Sequence, residues 1–249
     1  MPAVSSRSLW ASLSSVGREA ARIVLPSWCV VCSEELPWRA RRASCCERCW
    51  RELPRLGLRC TRCAIPLRFE QGREDLRCID CSQAESPLAW IESWGEYRAG
   101  LERVIHAFKF ERHDFLGAPL GGLLAEAFEA RGDLEFDCVA FVPMHRRKLR
   151  ERGYNQADLL ARAFSRLTGL PVRRDILRKE RDNSSQSTLP RAERSLNVRS
   201  TFSASPRADD LSILLIDDIC TTGETLRACA RELRRRKARR VCALTVARA

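Results

Sequence analysis

The sequence predicts an α/β domain, a mainly parallel twisted sheet flanked by helices, preceded by a small N-terminal cysteine-ligated module. Two patterns predict it. From about residue 86 onward, short apolar runs alternate with segments of helical period, and strands alternating with helices give a largely parallel sheet wrapped by helices. Before that, four Cys-x-x-Cys pairs crowd between Cys29 and Cys81. The organisation expected is an N-terminal helix over 1–26, a double zinc ribbon over 27–85 and the α/β domain over 86–249.

The elements follow in order. Leu9 to Leu13 begins a short apolar patch that Arg18, Glu19 and Arg22 interrupt, which reads as an amphipathic helix and not as a signal peptide. Ser82 to Leu88 is the expected boundary, because the cysteines stop there and the alternation begins. Trp90 to Tyr97 reads as a strand. Leu101, Val104, Ile105 and Phe108 fall at helical spacing within 99–110, and a second helix is expected over 116–130. Cys138 to Val142 is a strand ended by Pro143. A basic loop over 144–154 leads to a helix over 155–167. Val172 to Leu177 reads as a strand, followed by about thirty polar residues without a period. Ile213 to Ile216 is a strand, 223–237 a helix and Val241 to Val246 a last strand.

The cysteines point to metal. Thirteen residues separate the pair Cys29/Cys32 from Cys46/Cys49, and fourteen separate Cys60/Cys63 from Cys78/Cys81. A Cys-x-x-Cys turn aims two thiolates at one tetrahedral ion, and a second pair completes the shell. The natural assignment is Zn²⁺ in two structural sites: Cys29, Cys32, Cys46 and Cys49 in one, Cys60, Cys63, Cys78 and Cys81 in the other. Cys45 is an alternative to Cys46, and interleaved pairing stays open. Disulfides fit poorly with a chain read as cytoplasmic, and a redox Cys-x-x-Cys normally occurs once. Four cysteine ligands leave no open coordination position, so the expected role is folding a small polar segment, not catalysis.

No apolar run reaches the roughly 18–20 residues of a membrane span. The formal charge is +12, from 44 Lys and Arg against 32 Asp and Glu. Two zinc ions on eight thiolates would lower it to about +8. Such a surface suits polyanions, although arginine-rich helix faces such as 234–240 read first as plain solvated faces. The ribbons interleave Arg39, Arg41, Arg42, Arg48, Arg51 and Arg55 with Trp38 and Trp50, a composition shared by single-strand stacking surfaces and by inert basic modules.

The chemistry concentrates at 213–225. Four apolar residues make a buried strand, Asp217 and Asp218 follow, and Thr221-Thr222-Gly223-Glu224-Thr225 turns straight into a helix. A Thr/Gly turn at a helix N-terminus offers amides and hydroxyls to an anion. Carboxylates just upstream would repel phosphate, and make sense if they hold ribose hydroxyls. A sugar carrying a 5′-phosphate fits both halves. A Walker B strand is excluded by the lack of any Gly-Lys dipeptide, and no G-x-G-x-x-G is present.

Asp217 to Thr225 resembles the phosphoribosyl-pyrophosphate signature of type I phosphoribosyltransferases. The wider pattern is similar to ComF-family proteins: a cysteine-rich module, Val142-Pro143, Arg152-Gly153-Tyr154-Asn155-Gln156, then Gln186, Arg194 and Asn197. The resemblance implies the type I phosphoribosyltransferase fold. It also implies that Asp217 and Asp218 hold the ribose hydroxyls, directly or through Mg²⁺, and that Thr221, Thr222, Gly223, Glu224 and Thr225 cradle the 5′-phosphate. Met144, His145, Arg146 and Arg147 would face pyrophosphate, with Arg152, Asn155 and Gln156 opening the next helix. The segment 179–202 would be the loop closing over the site, carrying Gln186, Arg194 and Asn197. Asn183 stands where the family more often has Thr, and Lys109 stands where it often has Lys.

The activity this implies is pentosyl transfer, a glycosyltransferase reaction at ribose C1 with an unidentified acceptor. The resemblance also brings natural competence and DNA uptake. A second hypothesis is therefore a non-catalytic protein of transformation or recombination that binds single-stranded DNA through the same scaffold. A third is an adaptor docking other competence proteins, such as a helicase-like partner. His106 and His113 read as structural, and Cys138, Cys220, Cys229 and Cys242 as small buried hydrophobes.

Overall fold

The computed structural model describes residues 28–36, 44–67, 76–132, 135–180 and 201–249. The helix expected over 1–26 lies outside the described residues, as do Arg39, Arg41, Arg42, Asn183, Gln186, Arg194 and Asn197. The chain divides into two compact units, Met1–Glu52 and Leu53–Ala249.

In the first unit, Trp28 and Glu35 form an isolated antiparallel bridge, and Ser33 adopts a left-handed φ of 60° in the tight turn after Cys32. A short helix α1 (Glu47–Arg51) starts where the Cys46 thiol accepts from the Cys49 amide. Among the described residues of this unit, the buried apolar side chains are Cys29, Leu36, Cys45 and Cys49.

The second unit begins with the other cysteine knuckle, Cys60 to Cys63, and a short helix α2 (Ile79–Gln83). Then comes the sheet: β1 (Ile91–Glu96), β2 (Cys138–Phe141), β5 (Ser212–Cys220) and β6 (Arg240–Arg248), once the short strands β3 (Leu177–Lys179) and β4 (Phe202–Ala204) are numbered in chain order. The four long strands run in the order β1-β6-β5-β2, all parallel, and β3 pairs with β4 as a separate antiparallel ribbon. Helices α3 (Ala99–Phe110), α4 (Gly117–Arg131), α5 (Arg146–Arg152), α6 (Gln156–Thr168) and α7 (Glu224–Arg235) complete the unit. The α/β architecture expected from the sequence is the one observed.

Burial explains the order. Ile213, Leu214, Leu215 and Ile216 on β5 and Val241, Ala243 and Leu244 on β6 are buried, as parallel strands covered on both faces require. Helix α7 buries Leu226, Cys229, Ala230 and Leu233, one stripe at i, i+3, i+4 and i+7. Helices α4 and α6 approach closely because Gly121 has no side chain: a Cβ there would lie 2.4 Å from the Cβ of Ala163. Inside the sheet, the buried hydroxyls of Ser93 and Thr245 satisfy each other at 2.7 Å. Cys138, Cys220, Cys229 and Cys242 are buried, as expected.

Three elements differ from expectation. The strand expected over 172–177 is displaced to 177–179, and Val172 contributes one isolated parallel bridge to Val139. The basic stretch over 144–154 contains a helix, α5, that buries no residue. It forms through its caps: the His145 ring accepts from the Arg147 amide, and Gly153 ends it with φ of 84°. The strand expected over 213–216 continues to Cys220, so the two aspartates sit on the strand itself. Among the described residues no helix is long and apolar enough to cross a membrane.

Candidate functional site

The site forms beyond the end of β2, where β5 runs on past it to Cys220. Phe141 pairs with Ile216, and the Val142 amide donates to the Ile216 carbonyl at 3.0 Å. Beyond that register, residues 142–145 leave the sheet beside the last residues of β5, which carry Asp217 and Asp218 and lead into 221–223, the usual ligand position in a parallel α/β sheet. The chain segments carrying Met144, His145, Arg146 and Arg147 are thereby brought beside the one carrying Asp217 and Asp218.

Asp218 is buried and Asp217 half-buried. The Asp217 carboxylate accepts from the Asp218 amide at 2.9 Å. Lys109, the penultimate residue of α3, places its Nζ 2.8 Å from Asp218 Oδ1. Burial first, and then the adjacent Asp218 charge, push the Asp217 carboxyl up to about 8, although the Lys109 and Lys179 charges oppose the rise. Two acid groups are thus held next to each other with one cation in contact, an arrangement able to take hydroxyl donors or a hard cation.

Thr221, Thr222 and Gly223 bridge β5 to α7, and Glu224 and Thr225 form its first turn. Gly223 has φ of 77°, a left-handed conformation that disfavours side chains. The turn stays open to solvent: Thr221, Thr222, Glu224 and Thr225 are exposed. The Thr222 hydroxyl accepts from the Glu224 amide at 3.3 Å, and Arg227 braces the turn by donating to the Thr222 carbonyl and to Glu224.

The remaining expected residues take supporting positions. Asn155 caps α6, its Oδ1 accepting from the Ala157 amide and its Nδ2 donating to the Val142 carbonyl. Gln156 is buried and donates to the Lys109 carbonyl at 3.4 Å while accepting from Arg152. Arg146 and Arg147 lie exposed on α5, with Arg147 paired to Glu151. Lys109, Phe110, Arg112, Lys148, Arg152 and Tyr154 line a cleft of about 350 Å³, with the Arg152 guanidinium 4.8 Å over the Phe110 ring. Two further residues gain their partners in three dimensions. Lys109 touches Asp218, and Arg248 reaches the Cys220 and Thr221 carbonyls. The first has a sequence signal, a lysine ending a helix in an Ala-Phe-Lys-Phe stretch; the second has none.

The cysteines form two clusters. Cys29, Cys32, Cys46 and Cys49 make one, and Cys60, Cys63, Cys78 and Cys81 the other, with all four sulfur atoms of each within 4.8 Å of one another. Pairing is therefore consecutive, and Cys46, not Cys45, is in the first cluster. Cys45 instead turns its thiol to the Cys46 carbonyl, and burial holds it firmly protonated. Burial also opposes ionisation of Cys29 and Cys60. In Cys29 the amides of Cys32, Cys46 and Val31 outweigh it, lowering the thiol to about 6. In Cys60 those of Cys78, Arg62 and Cys63 lower it to about 7. Tetrahedral thiolate sets with amides aimed at the sulfur suit Zn²⁺.

Comparison with known proteins agrees with this geometry. Residues 20–82 match the double zinc ribbon domain family, and residues 149–249 match the phosphoribosyl transferase domain family. "DNA utilization protein YhgH" of Salmonella typhi is 27% identical over 217 residues, covering 86% of this chain and 93% of that protein. "Competence protein F" of Haemophilus influenzae is 28% identical over 165 residues, 64% of this chain and 72% of that protein. "Competence protein ComFC" of Bacillus subtilis is 36% identical over 90 residues, 36% of this chain and 35% of that protein. The chain is thus similar to these DNA-utilization and competence proteins, with a region matching the double zinc ribbon family followed by one matching the phosphoribosyl transferase domain family.

Proposed function

We propose that the chain binds phosphoribosyl pyrophosphate with Mg²⁺ and transfers the phosphoribosyl group to a nitrogen acceptor. The observation that carries this reading is the Asp217–Asp218 pair at the end of β5, followed without a break by the exposed 221–225 turn at the start of α7. The carboxylates would take the ribose 2′- and 3′-hydroxyls. Amides and hydroxyls of the turn would take the 5′-phosphate, aided by the positive end of the α7 dipole.

The neighbouring carboxylates are a suitable oxygen donor set for Mg²⁺, which when bound would neutralise charge on the departing pyrophosphate. Lys109 balances the charge of the pair, and its ammonium can turn to the ligand's phosphates. Cations along the basic cleft, Arg112, Lys148 and Arg152, favour the leaving group. Gln186, Arg194 and Asn197 are proposed to act from the segment that follows β3.

Calorimetric titration with phosphoribosyl pyrophosphate and Mg²⁺ tests this. Wild type is expected to bind, and Asp217→Asn and Asp218→Asn each to weaken binding by roughly ten- to hundredfold. Wild type that takes up no heat on titration would sink the reading.

A second reading is supported by the same cleft. Phe110, 59% exposed, lies beneath Arg152 and beside Arg112 and Lys148, a combination suited to a stacked base and its phosphates. The names of the relatives, which speak of DNA utilization and competence, point the same way. Salt-dependent binding of single-stranded DNA that survives Asp217→Asn but is lost on Lys148→Glu with Arg152→Glu would establish it.

A further inference from the structure

The second cysteine cluster and the 221–225 turn are tied together by one side chain. Arg248 is 7% exposed. Its Nη1 donates to the Cys220 carbonyl at 2.9 Å and to the carbonyls of Thr221 and Ala249. Its Nε donates to the Cys63 carbonyl at 3.2 Å. One guanidinium therefore holds the backbone of a cysteine in the metal-ligand set and the backbone at the entry of the turn.

Other contacts set the same knuckle against the sheet. The Ile91 amide donates to the Arg62 carbonyl at 2.8 Å, and Arg62 Nη1 donates to the Cys81 and Ala84 carbonyls. Ile91 also lies under Gly223, its Cδ1 3.4 Å from where a Cβ would stand. A cleft of about 280 Å³ has Cys63 and Cys78 on one wall and Cys220, Thr222 and Arg227 on another.

A buried guanidinium has five donors and tolerates no loss of acceptors. The Cys63 carbonyl stays in place only while the knuckle is closed, and four mutually close thiols close it when they share an ion. Amides already point at Cys60 Sγ from Arg62 at 3.4 Å and from Cys78 at 3.3 Å, so the site is built for a metal-bound thiolate.

We propose that the second zinc knuckle is the support of the phosphate-binding turn, with Arg248 the positioning residue between them. Metal loading at Cys60, Cys63, Cys78 and Cys81 then sets how tightly the turn holds a phosphate ester, though none of these residues touches the ligand. The ligand side of this inference rests on the reading of 221–225 as a phosphate cradle; the structural side does not.

The test uses the full zinc-loaded chain with Cys78→Ser, Arg248→Met and the double variant. Titration with phosphoribosyl pyrophosphate and Mg²⁺ is paired with hydrogen exchange at amides 221–225. Arg248→Met keeps all four thiols, so its zinc content is expected to equal that of wild type. Both single variants are expected to weaken binding by about tenfold or more and to speed exchange in the turn. The double variant should bind no more weakly than the weaker single, because both act through one link. Affinity and exchange in Arg248→Met matching wild type would overturn the proposal, as would losses that add in the double variant. If wild type itself does not bind, the phosphate reading fails. Exchange then decides alone: protection at 221–225 unchanged in Arg248→Met refutes the support.

Discussion

At the residue scale the Asp217 carboxyl concentrates the cost of the site. It is half-buried beside a second carboxylate, and its ionisation is pushed up to about 8. Because the folded-state value lies above the unfolded one, its contribution to stability is complete below the ordinary carboxylate range. That contribution declines as pH rises and is gone once pH passes about 8. Asp217→Asn removes the titration while keeping the shape. Its melting temperature should therefore gain on wild type across that interval and exceed it by several degrees at about pH 9, each kcal/mol giving roughly 2–4 °C. At about pH 4 the two should melt alike. A gap that does not widen with pH would show that Asp217 carries no such strain. This pair is legible in the sequence because two acids set between an apolar run and a Thr/Gly turn suit little besides hydroxyl donors or a cation. Lys109 and Arg248 are far less so. Single cations among 44 Lys and Arg acquire meaning only from the carboxylate or carbonyls the fold places against them.

At the element scale, legibility follows apolar periodicity. Helix α3 is marked by Leu101, Val104, Ile105 and Phe108, and all four are buried. Helix α5 has no apolar period, being held by His145 and Gly153 at its ends, so its sequence reads as loop. The β5 strand outruns expectation because pairing with β6 continues through Asp217↔Thr245 and Ile219↔Ala247, and ladder bonds do not need apolar side chains. Packing between α4 and α6 gives a sharper test, since adjacent glycines on α4 differ only in surroundings. A Cβ on Gly121 would collide with Ala163, whereas nothing lies within 4 Å of one on Gly122. Gly121→Ala should destabilise by about 1–3 kcal/mol through overpacking. Gly122→Ala should stabilise by up to about 1 kcal/mol through helix propensity. Denaturant melts read both, and equal effects at the two positions would refute the close helix approach.

At the scale of the whole molecule the question is which chain segments form one folding unit. The sequence suggests a boundary near 82–88, where cysteines give way to alternating strands and helices. The bonds suggest another grouping, because residues 53–85 are laced to the sheet. The Leu56 amide donates to the Trp94 carbonyl at 3.1 Å, and the Glu96 amide donates to the Pro54 carbonyl at 3.0 Å. Glu92, 3% exposed, is held from one side by Arg59 at 2.7 Å and from the other by Arg131 at 3.1 Å. Removing 53–85 would strip Arg59 from Glu92, leaving Arg131 as its partner, and would uncover the edge strand β1 to other chains. Arg248 would lose the Cys63 carbonyl as well. We therefore expect a chain beginning at Leu53 to stay monodisperse, carry one zinc ion and keep its affinity for phosphoribosyl pyrophosphate. A chain beginning at Ser86 should melt lower by on the order of 10 °C and aggregate. Melting curves, metal analysis and light scattering on the two truncations decide between the boundaries. Equal stability of both would mean that residues 53–85 rest on the sheet without supporting it.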